Sequence, residues 1–375
     1  MNKIISLLLL LTCTVYNTTP QCLTFRDYGF SIGVLTPGQD NSITDVSGVL
    51  VGHFTLNKGE NIRTGVTAVI PHPGNVFMEK VPAAVYVANG FGKLTGTTQI
   101  QELGNIETPI ILTNTLSFPV AAEALIEYSL KKNENINSVN PVVGETNDGY
   151  LNDIRGLHIE KRHVIAAIED ASSNKVLQGS IGAGTGTVCF GYKGGIGTSS
   201  RKLPANMSSY TVGVLVQTNF GGILQIDGVP VGQELKQYYL ANKLKQADGS
   251  CMIIVATDAP LNSRNLLRLA KRSMLGLAHT GGISSNGSGD YVIAFSTANK
   301  IPYSTVSPVD TIANLRNDQM SSLFQAVIEA TEEAIINSLF TAKTTIGYKN
   351  HKIEKLPLEK VLKIMKKYNH VPLKQ

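Results

Sequence analysis

Seven short apolar runs, most of them rich in β-branched residues, constrain the fold of this chain more than any other feature. Runs of five or six such residues between turn-forming residues are typical of buried strands. They are GVTAVI (65–70), AAVYVA (83–88), PIILT (109–113), VIAAIE (164–169), VGVLVQ (212–217), MIIVAT (252–257) and YVIAFS (291–296). Because both faces of such strands are apolar, the chain is expected to form sheets that are covered on both sides.

Three other segments carry apolar residues at helical spacing. One runs from Pro119 to Leu130, with Ser117 in position to cap it, and the others lie within residues 266–277 and 324–335. The C-terminal stretch 357–368 predicts a docking helix or a tail, with a membrane-surface helix as the alternative. No linker or repeat divides the chain, so the sequence predicts one domain of mixed sheets with helices in layers outside them.

The N-terminus has the pattern of a secretory signal. Lys3 is followed by the apolar run Ile4 to Leu11, which is too short to span a bilayer. We expect residues 1–19 to form the signal peptide, with an uncertain boundary, and the protein to be exported to the periplasm or secreted. An imperfect lipoprotein box ending at Cys13 leaves lipid anchoring as the alternative.

Composition and cysteine spacing exclude several functions. The net charge is only +5, and the lysine excess lies near the C-terminus, which argues against a nucleic-acid protein. The four cysteines, at positions 13, 22, 189 and 251, match no zinc pattern. Cys189 and Cys251 are interpreted as buried apolar side chains, with a disulfide as the alternative. We therefore expect neither a metal nor a cofactor.

The segment from Gly179 to Arg201 contains eight glycines. Such a segment could form a backbone cradle for a phosphate or an oxyanion. Its spacing nevertheless completes neither a dinucleotide fingerprint nor a P-loop. Tight turns around an active site are the favoured interpretation, and nucleotide binding is the alternative.

Ser250 lies between a polar ADG tripeptide and the apolar run that follows it. Serine often borders strands and turns without any chemical role. A nucleophilic serine needs a base, but no GxSxG elbow accompanies any of the seven histidines, so a Ser-His-Asp triad has no support. If Ser250 is catalytic, its base must come from elsewhere.

Eight ordered blocks resemble the P1-type peptidases, the family of the L-aminopeptidase/D-esterase and the β-peptidyl aminopeptidases. The resemblance runs almost from end to end. The blocks are NGFGKLTGTTQIQELGNIETPIILTNTL (89–116), VVGETNDGYLNDIRG (142–156), IGAGTGTVCFGYKGGIGTSSR, VGVLVQTNFGG, IDGVPVG, GSCMIIVATDAPL, GSGDYVIAFSTAN (287–299) and LFQAVIEATEEAI (323–335).

This resemblance implies an α+β fold, a four-layer αββα sandwich resembling the N-terminal-nucleophile hydrolases, with the strand connectivity shared with ornithine acetyltransferases. It also implies self-cleavage between Gly249 and Ser250. The products would be an α chain of residues 20–249 and a β chain of residues 250–375, which pair and assemble into larger oligomers. The new α-amino group of Ser250 has an ordinary pKa of about 7.7 to 8.0 and could serve as the base.

The resemblance also assigns the remaining catalytic residues. Ser288 matches the supporting serine, with Asp290 as its acidic neighbour. The β-peptidyl branch is expected to carry Glu there, so the shorter Asp290 departs from that pattern. Asn219 matches the asparagine that stabilises the oxyanion. Tyr150 is predicted to donate its hydroxyl in the same pocket.

Glu145 and Asp148, in the GETNDG block, could hold the free ammonium group of a substrate. The alternative is that both acids only cap turns. The sequence thus predicts a self-processing serine aminopeptidase or amidase that acts on small peptides, amides or esters. It leaves open the preference among L-, D- and β-amino acids. The competing functions are an acyltransferase of the ornithine type, which would use threonine in place of Ser250, and a non-enzymatic ligand-binding protein.

Overall fold

Six of the seven apolar runs form strands in a computed structural model, which describes residues 23–241 and 249–372. The predicted signal segment, Cys13 and Cys22 lie outside the described residues. The longer strands are β1 (Leu50–Lys58), β2 (Ile62–Ile70), β3 (Glu79–Gly90), β5 (Ile110–Asn114), β6 (Val142–Thr146), β9 (Ile196–Lys202), β10 (Thr211–Asn219), β11 (Ser250–Thr257) and β12 (Gly289–Ser296). Two-residue strands are β4 (Asn105–Ile106), β7 (Val188–Cys189), β8 (Tyr192–Lys193), β13 (Ile301–Pro302), β14 (Thr345–Ile346) and β15 (Lys352–Ile353).

The helices are α1 (Thr97–Leu103), α2 (Phe118–Lys132), α3 (Lys161–Glu169), α4 (Val231–Glu234), α5 (Ser263–His279), α6 (Ser321–Phe340) and α7 (Leu358–Lys367). The three helices predicted from apolar spacing are confirmed as α2, α5 and α6. Ser117 precedes α2 as predicted, but its side chain makes no capping hydrogen bond. Helix α7 buries Val361 and Met365 and contacts α4, as a docking helix would.

Two mixed sheets form the centre of the fold. The smaller has the strand order β1-β2-β5-β6, and only its β5–β6 pair is parallel. The larger has the order β13-β3-β12-β11-β10-β9, with β4 paired to β3, and only its β11–β12 pair is parallel. Strand β11 is therefore central and is flanked on both sides by long strands.

Three apolar cores separate four layers. Helices α2 and α3 cover the outer face of the smaller sheet, and α5 and α6 cover the outer face of the larger one. Alternation along β11 shows the division. Cys251, Ile253 and Val255 face the helices, whereas Met252 and Ile254 face the smaller sheet. The predicted αββα sandwich is confirmed.

The run VIAAIE is the exception, because it belongs to helix α3 and not to a strand. Val164, Ala167 and Ile168 stand at spacings of three and four residues and are buried against the smaller sheet. A six-residue apolar run does not distinguish a strand from a buried helix. Within the described residues, no helix is long and apolar enough to cross a membrane.

Candidate active site

Three neighbouring strands of the larger sheet bring the candidate catalytic residues together where their ends pair. Ser250, the first residue of β11, pairs with Asn219 at the end of β10 and with Gly289 at the start of β12. Side chains alternate along a strand, so Ser250 points to the same side as Met252, toward the smaller sheet. The serine therefore lies between the two sheets, at the end of the sandwich.

The hydroxyl of Ser250 is buried beside a backbone donor. Its Oγ accepts a hydrogen bond from the N–H of Gly289 at 3.3 Å, and the carbonyl oxygen of Gly249 accepts from the same N–H at 3.1 Å. A side chain at Gly249 would place its Cβ 1.9 Å from the carbonyl oxygen of Asn219. Only glycine fits at this position, and the bond between Gly249 and Ser250 is held against the sheet.

Asn219 lies opposite Ser250 in register, and its side chain is held through its oxygen. Its Oδ1 accepts a hydrogen bond from the N–H of Val188 at 2.9 Å, in the glycine-rich segment. Because its carbonyl end is occupied, the free end is the NH₂ group, which can donate. This amide and the N–H of Gly289 are two groups that can donate to an oxygen atom that becomes negative during acyl transfer.

Ser288 and Asp290 form a buried pair beside Ser250. Ser288 Oγ donates a hydrogen bond to Asp290 Oδ1 at 2.8 Å. Burial raises the pKa of Asp290, and the hydrogen bond from Ser288 opposes this shift. The amide of Asn89 donates to the carbonyl oxygens of Ser285 and Ser288 and so fixes the loop that carries the pair.

Glu145 lies near the end of β6 in the smaller sheet, where a Cβ at Gly92 would be 3.2 Å from its Oε1. Its buried carboxylate accepts the backbone N–H of Lys93 at 2.9 Å through Oε1 and the hydroxyl of Thr115 through Oε2. Burial, followed by the charges of Glu145 and Asp290, raises the pKa of Tyr291, whose ring lies on the inner face of β12. Glu145 thus does not cap a turn, because both of its carboxylate oxygens accept hydrogen bonds from residues distant in the sequence.

Tyr150 and Asp148 lie in other surroundings. The Tyr150 ring is 50% exposed and stacks on His351, with 4.4 Å between ring centroids. Asp148 is buried, and its Oδ1 accepts a hydrogen bond from Asn152 Nδ2 at 3.0 Å. Its main-chain carbonyl accepts from the N–H groups of Leu151 and Asn152, which favours the structural interpretation of Asp148.

The glycine-rich segment, Gly179 to Arg201, contacts the site through Val188. Its central Lys193 is completely buried, and Nζ donates to the carbonyl oxygens of Gly184 and Gly194 at 2.8 and 2.7 Å. These contacts turn carbonyl groups inward, whereas a phosphate cradle requires converging N–H groups. The segment contributes the Val188 contact to Asn219, in agreement with turns around an active site.

None of the seven histidines, all of which lie in the described residues, is hydrogen-bonded to Ser250. Each of the seven histidines hydrogen-bonds another residue, namely Thr67 for His53, Glu79 for His72, Asp153 for His158, Glu160 for His163, Glu332 for His279, Tyr150 for His351 and Asp227 for His370. Across residues 23–241 and 249–372, no group of three or more His, Cys, Asp or Glu side chains could hold a metal ion. Cys189 and Cys251 are both free thiols and buried.

Four contributors to the site were missed in the sequence: Asn89, Lys93, Thr115 and the N–H of Gly289. Asn89, Lys93 and Thr115 lie in the NGFGK–TNTL block and Gly289 in the GSGD block. Those blocks are the only signal that could have marked them. Their contacts cross between 30 and 199 residues of sequence or involve the backbone, so spacing does not reveal them.

Comparisons with known proteins found matches over most of the chain. Residues 41–353 match peptidase family S58. The chain is 41% identical over 357 residues to the beta-peptidyl aminopeptidase BapA of Sphingosinicella microcystinivorans, covering 89% of this chain and 90% of that protein.

Two solved structures superpose closely. The PH0078 protein from Pyrococcus horikoshii OT3 is 49% identical with a TM-score of 0.88, covering 93% of this chain and 100% of that one. The L-aminopeptidase D-Ala-esterase/amidase from Ochrobactrum anthropi is 33% identical with a TM-score of 0.86, covering 92% and 98%. The latter is described as a prototype for the serine aminopeptidases with a variant of the Ntn hydrolase fold, and the present fold is of that kind.

Proposed function

The chain belongs to peptidase family S58, and from that premise we propose that it is a self-processing serine aminopeptidase or amidase with Ser250 as its nucleophile. The observation that carries the proposal is the placement of Ser250 at the start of β11. There its Oγ lies 3.3 Å from the N–H of Gly289, and Asn219 stands opposite in the adjacent strand. The site contains a nucleophile and two oxyanion donors, but no histidine.

Maturation would begin with attack of Ser250 Oγ on the carbonyl carbon of Gly249. The N–H of Gly289 already donates to that carbonyl oxygen, so it stabilises the charge that develops there. The Gly249–Ser250 amide bond breaks as an ester forms, and the Ser250 nitrogen takes the hydroxyl proton. Water then hydrolyses the ester, which leaves an α chain of residues 20–249 and a β chain of residues 250–375.

The released α-amino group of Ser250 supplies the base that the site otherwise lacks. Its ordinary pKa of about 7.7 to 8.0 leaves part of it neutral near pH 7. The hydroxyl of Ser288, oriented by Asp290, can relay the proton between this amine and Oγ. Oγ then attacks the substrate carbonyl, the leaving amine takes a proton, and water releases the acyl group from Ser250.

Glu145 would bind the free ammonium group of the substrate. Its carboxylate is buried beside Gly92, which neighbours Gly289, and the pairing of such a group with an ammonium is strong when water is excluded. This assigns the activity to the removal of N-terminal amino acids from peptides, amides or esters. The relative named a beta-peptidyl aminopeptidase supports inclusion of β-amino acids among the acyl groups.

Tyr150 remains a proposed hydroxyl donor, although the structure stacks its ring on His351. We also propose export through the signal segment and assembly of αβ pairs into a homo-oligomer. Exposed apolar side chains at Val306, Val309 and Ile312 support such an assembly. N-terminal sequencing of the mature chains and sedimentation analysis test these two proposals.

The test of function compares an aminoacyl p-nitroanilide with its N-acetylated form as substrates of the purified protein. A denaturing gel of a sample first confirms that the protein consists of two fragments. We expect turnover of the free amine only, because acetylation removes the charge that Glu145 binds. Equal turnover of both substrates would overturn the aminopeptidase assignment. A single uncut chain without activity would overturn the self-processing mechanism.

A further inference from the structure

The carboxylate of Glu145 has a cationic partner in the wall of the site. Lys93 Nζ lies 3.9 Å from Glu145 Oε1, and the two side chains are 46% and 3% exposed, respectively. The backbone N–H of Lys93 donates to the same oxygen at 2.9 Å. This backbone contact keeps the Lys93 residue beside the carboxylate, while the half-exposed side chain reaches into solvent.

The pair is close to the nucleophile. A Cβ at Gly289 would lie 3.2 Å from Gly92 Cα and 2.6 Å from the carbonyl oxygen of Phe91, and the N–H of Gly289 contacts Ser250 Oγ. On its other side, a Cβ at Gly92 would lie 3.2 Å from Glu145 Oε1. Gly92 thus lies between Gly289, which contacts the nucleophile, and the Glu145–Lys93 pair.

The charge balance of this pair selects among substrates. Glu145 contributes −1 and Lys93 contributes +1, so the empty pair is neutral. A substrate with only an ammonium group brings a second cation to one carboxylate and leaves an excess of +1 beside Lys93. A substrate with an ammonium and a carboxylate on the same carbon keeps the balance at zero, and each of its charges meets an opposite charge.

The other nearby carboxylate, Asp290, already has a hydrogen-bond partner of its own. Asp290 pairs in register with Cys251, the residue after Ser250. Its Oδ1 accepts the hydroxyl of Ser288. Lys93 is the cation within 4 Å of Glu145 among the residues that the structure describes.

We propose that Lys93 is a specificity-determining residue that admits acyl groups with a free carboxylate beside the free ammonium, namely β-aspartyl peptides and amides. The inference rests on the proposed function, in which Glu145 binds the ammonium. Lys93 Nζ binds the neighbouring carboxylate. A β-aspartyl group is a β-alanyl group with one carboxylate added to the carbon that bears the amine, so the reacting carbonyl keeps its distance from the ammonium.

The reaction is an ordinary acyl transfer. Ser250 Oγ forms an ester with the side-chain carbonyl of the aspartyl group, and the bond from that carbonyl to the leaving amine breaks. The leaving amine takes the proton, and water hydrolyses the ester to release free aspartate and restore Ser250.

The test uses β-alanyl and β-aspartyl p-nitroanilide, which differ by one carboxylate, with the processed wild-type protein and the variant Lys93→Met. We expect the wild-type protein to hydrolyse both. In Lys93→Met, the ratio of kcat/KM for β-aspartyl over β-alanyl substrate should fall about tenfold or more through KM. In the same variant, kcat/KM for the β-alanyl substrate should rise, because Lys93 no longer competes with the substrate ammonium for Glu145. Lys93→Glu should lower the ratio further.

Lys131→Met is the matched control. Lys131 is exposed near the far end of α2, roughly 20 Å along that helix from the edge that carries Thr115, so its loss changes the net charge equally without touching the site. It should leave the ratio unchanged.

Two outcomes overturn the inference while the proposed function stands. One is hydrolysis of the β-alanyl but not the β-aspartyl substrate, and the other is a ratio that is the same in Lys93→Met and wild type. Failure of the proposed function looks different, because the processed wild-type protein would then hydrolyse no free aminoacyl amide, and the inference would fall with it. Because the Lys93 backbone contact survives these substitutions, two fragments of normal size confirm that each variant has folded and matured.

Discussion

The N–H of Gly289 donates a hydrogen bond to the carbonyl oxygen of Gly249 at 3.1 Å. This contact polarises the carbonyl that Ser250 is proposed to attack. We therefore expect Ser250→Ala to remain one full-length chain without activity, because it keeps the contact but lacks the nucleophile. Electrophoresis and intact-mass measurement check this. Cleavage of Ser250→Ala at the same bond would show that another group makes the attack.

Gly249→Ala should slow self-cleavage strongly and destabilise the precursor. Its Cβ would lie 1.9 Å from the carbonyl oxygen of Asn219 and 2.7 Å from Phe220 Cα, both of which are backbone atoms. The scissile bond would have to move away from its donor. Gly90→Ala is the control. Gly90 pairs with Gly289 at the same end of the strands, and a Cβ at Gly90 would lie 3.6 Å from its nearest neighbour, Val87 Cγ1. A time course of precursor disappearance should separate the two, and equal rates would contradict the prediction.

Asn219→Ala should lower kcat by roughly 10²- to 10³-fold with a small change in KM, as expected for a donor that acts on the developing oxyanion. Asn219→Asp is the sharper comparison. It keeps an oxygen for the N–H of Val188 but replaces the donor by an acceptor. Steady-state kinetics on a p-nitroanilide should find both variants equally impaired. Substantial activity in Asn219→Asp would exclude the donor role.

Glu145→Gln should raise KM for a free-amine substrate about tenfold or more and change kcat little. Gln can still accept the N–H of Lys93 through its side-chain oxygen, so the wall stays in place while the charge that binds the ammonium is lost. Initial-rate kinetics over a range of substrate concentration measure both constants. A fall in kcat at constant KM would instead place Glu145 in the chemical step.

His53 should make the fold less stable in acid. Burial lowers its pKa to about 4, against a smaller opposing effect of Asp170, and its Nε2 is buried without a hydrogen-bond partner among the described residues. The unfolded chain, with a His pKa near 6.5, binds the proton first, so this contribution is complete above pH 6.5 and is lost as the pH falls toward 4. The loss amounts to about 3 kcal/mol at most.

Urea unfolding of the Ser250→Ala chain at pH 4.5 and pH 7 measures the effect, because a single chain avoids dissociation of fragments. His53→Gln in the same background should show a smaller difference between the two pH values. An unchanged difference would mean that other groups cause the acid sensitivity.

Much of the fold was predictable because the strands are uniformly apolar and the three main helices have clear spacing. The candidate catalytic residues were chosen from motifs, and the paired ends of β10, β11 and β12 explain why Asn219, Ser250 and Gly289 lie together. The contacts of Glu145 were not predictable, since Lys93 and Thr115 reach it from separate elements. Tyr150 stays a prediction, as its exposed ring packs on His351.

The strand order of the larger sheet has a consequence for how the mature protein can be made. Strands β3, β9 and β10 precede Gly249, whereas β11, β12 and β13 follow it, and the order β13-β3-β12-β11-β10-β9 interleaves the two groups. Neither fragment contains a complete version of this sheet, so neither can fold alone into its final form. Cleavage at Gly249–Ser250 would turn a first-order folding reaction into a second-order one. The uncut chain would refold at a rate independent of protein concentration. The rate at which the separated fragments refold would increase with their concentration, because the two must first associate.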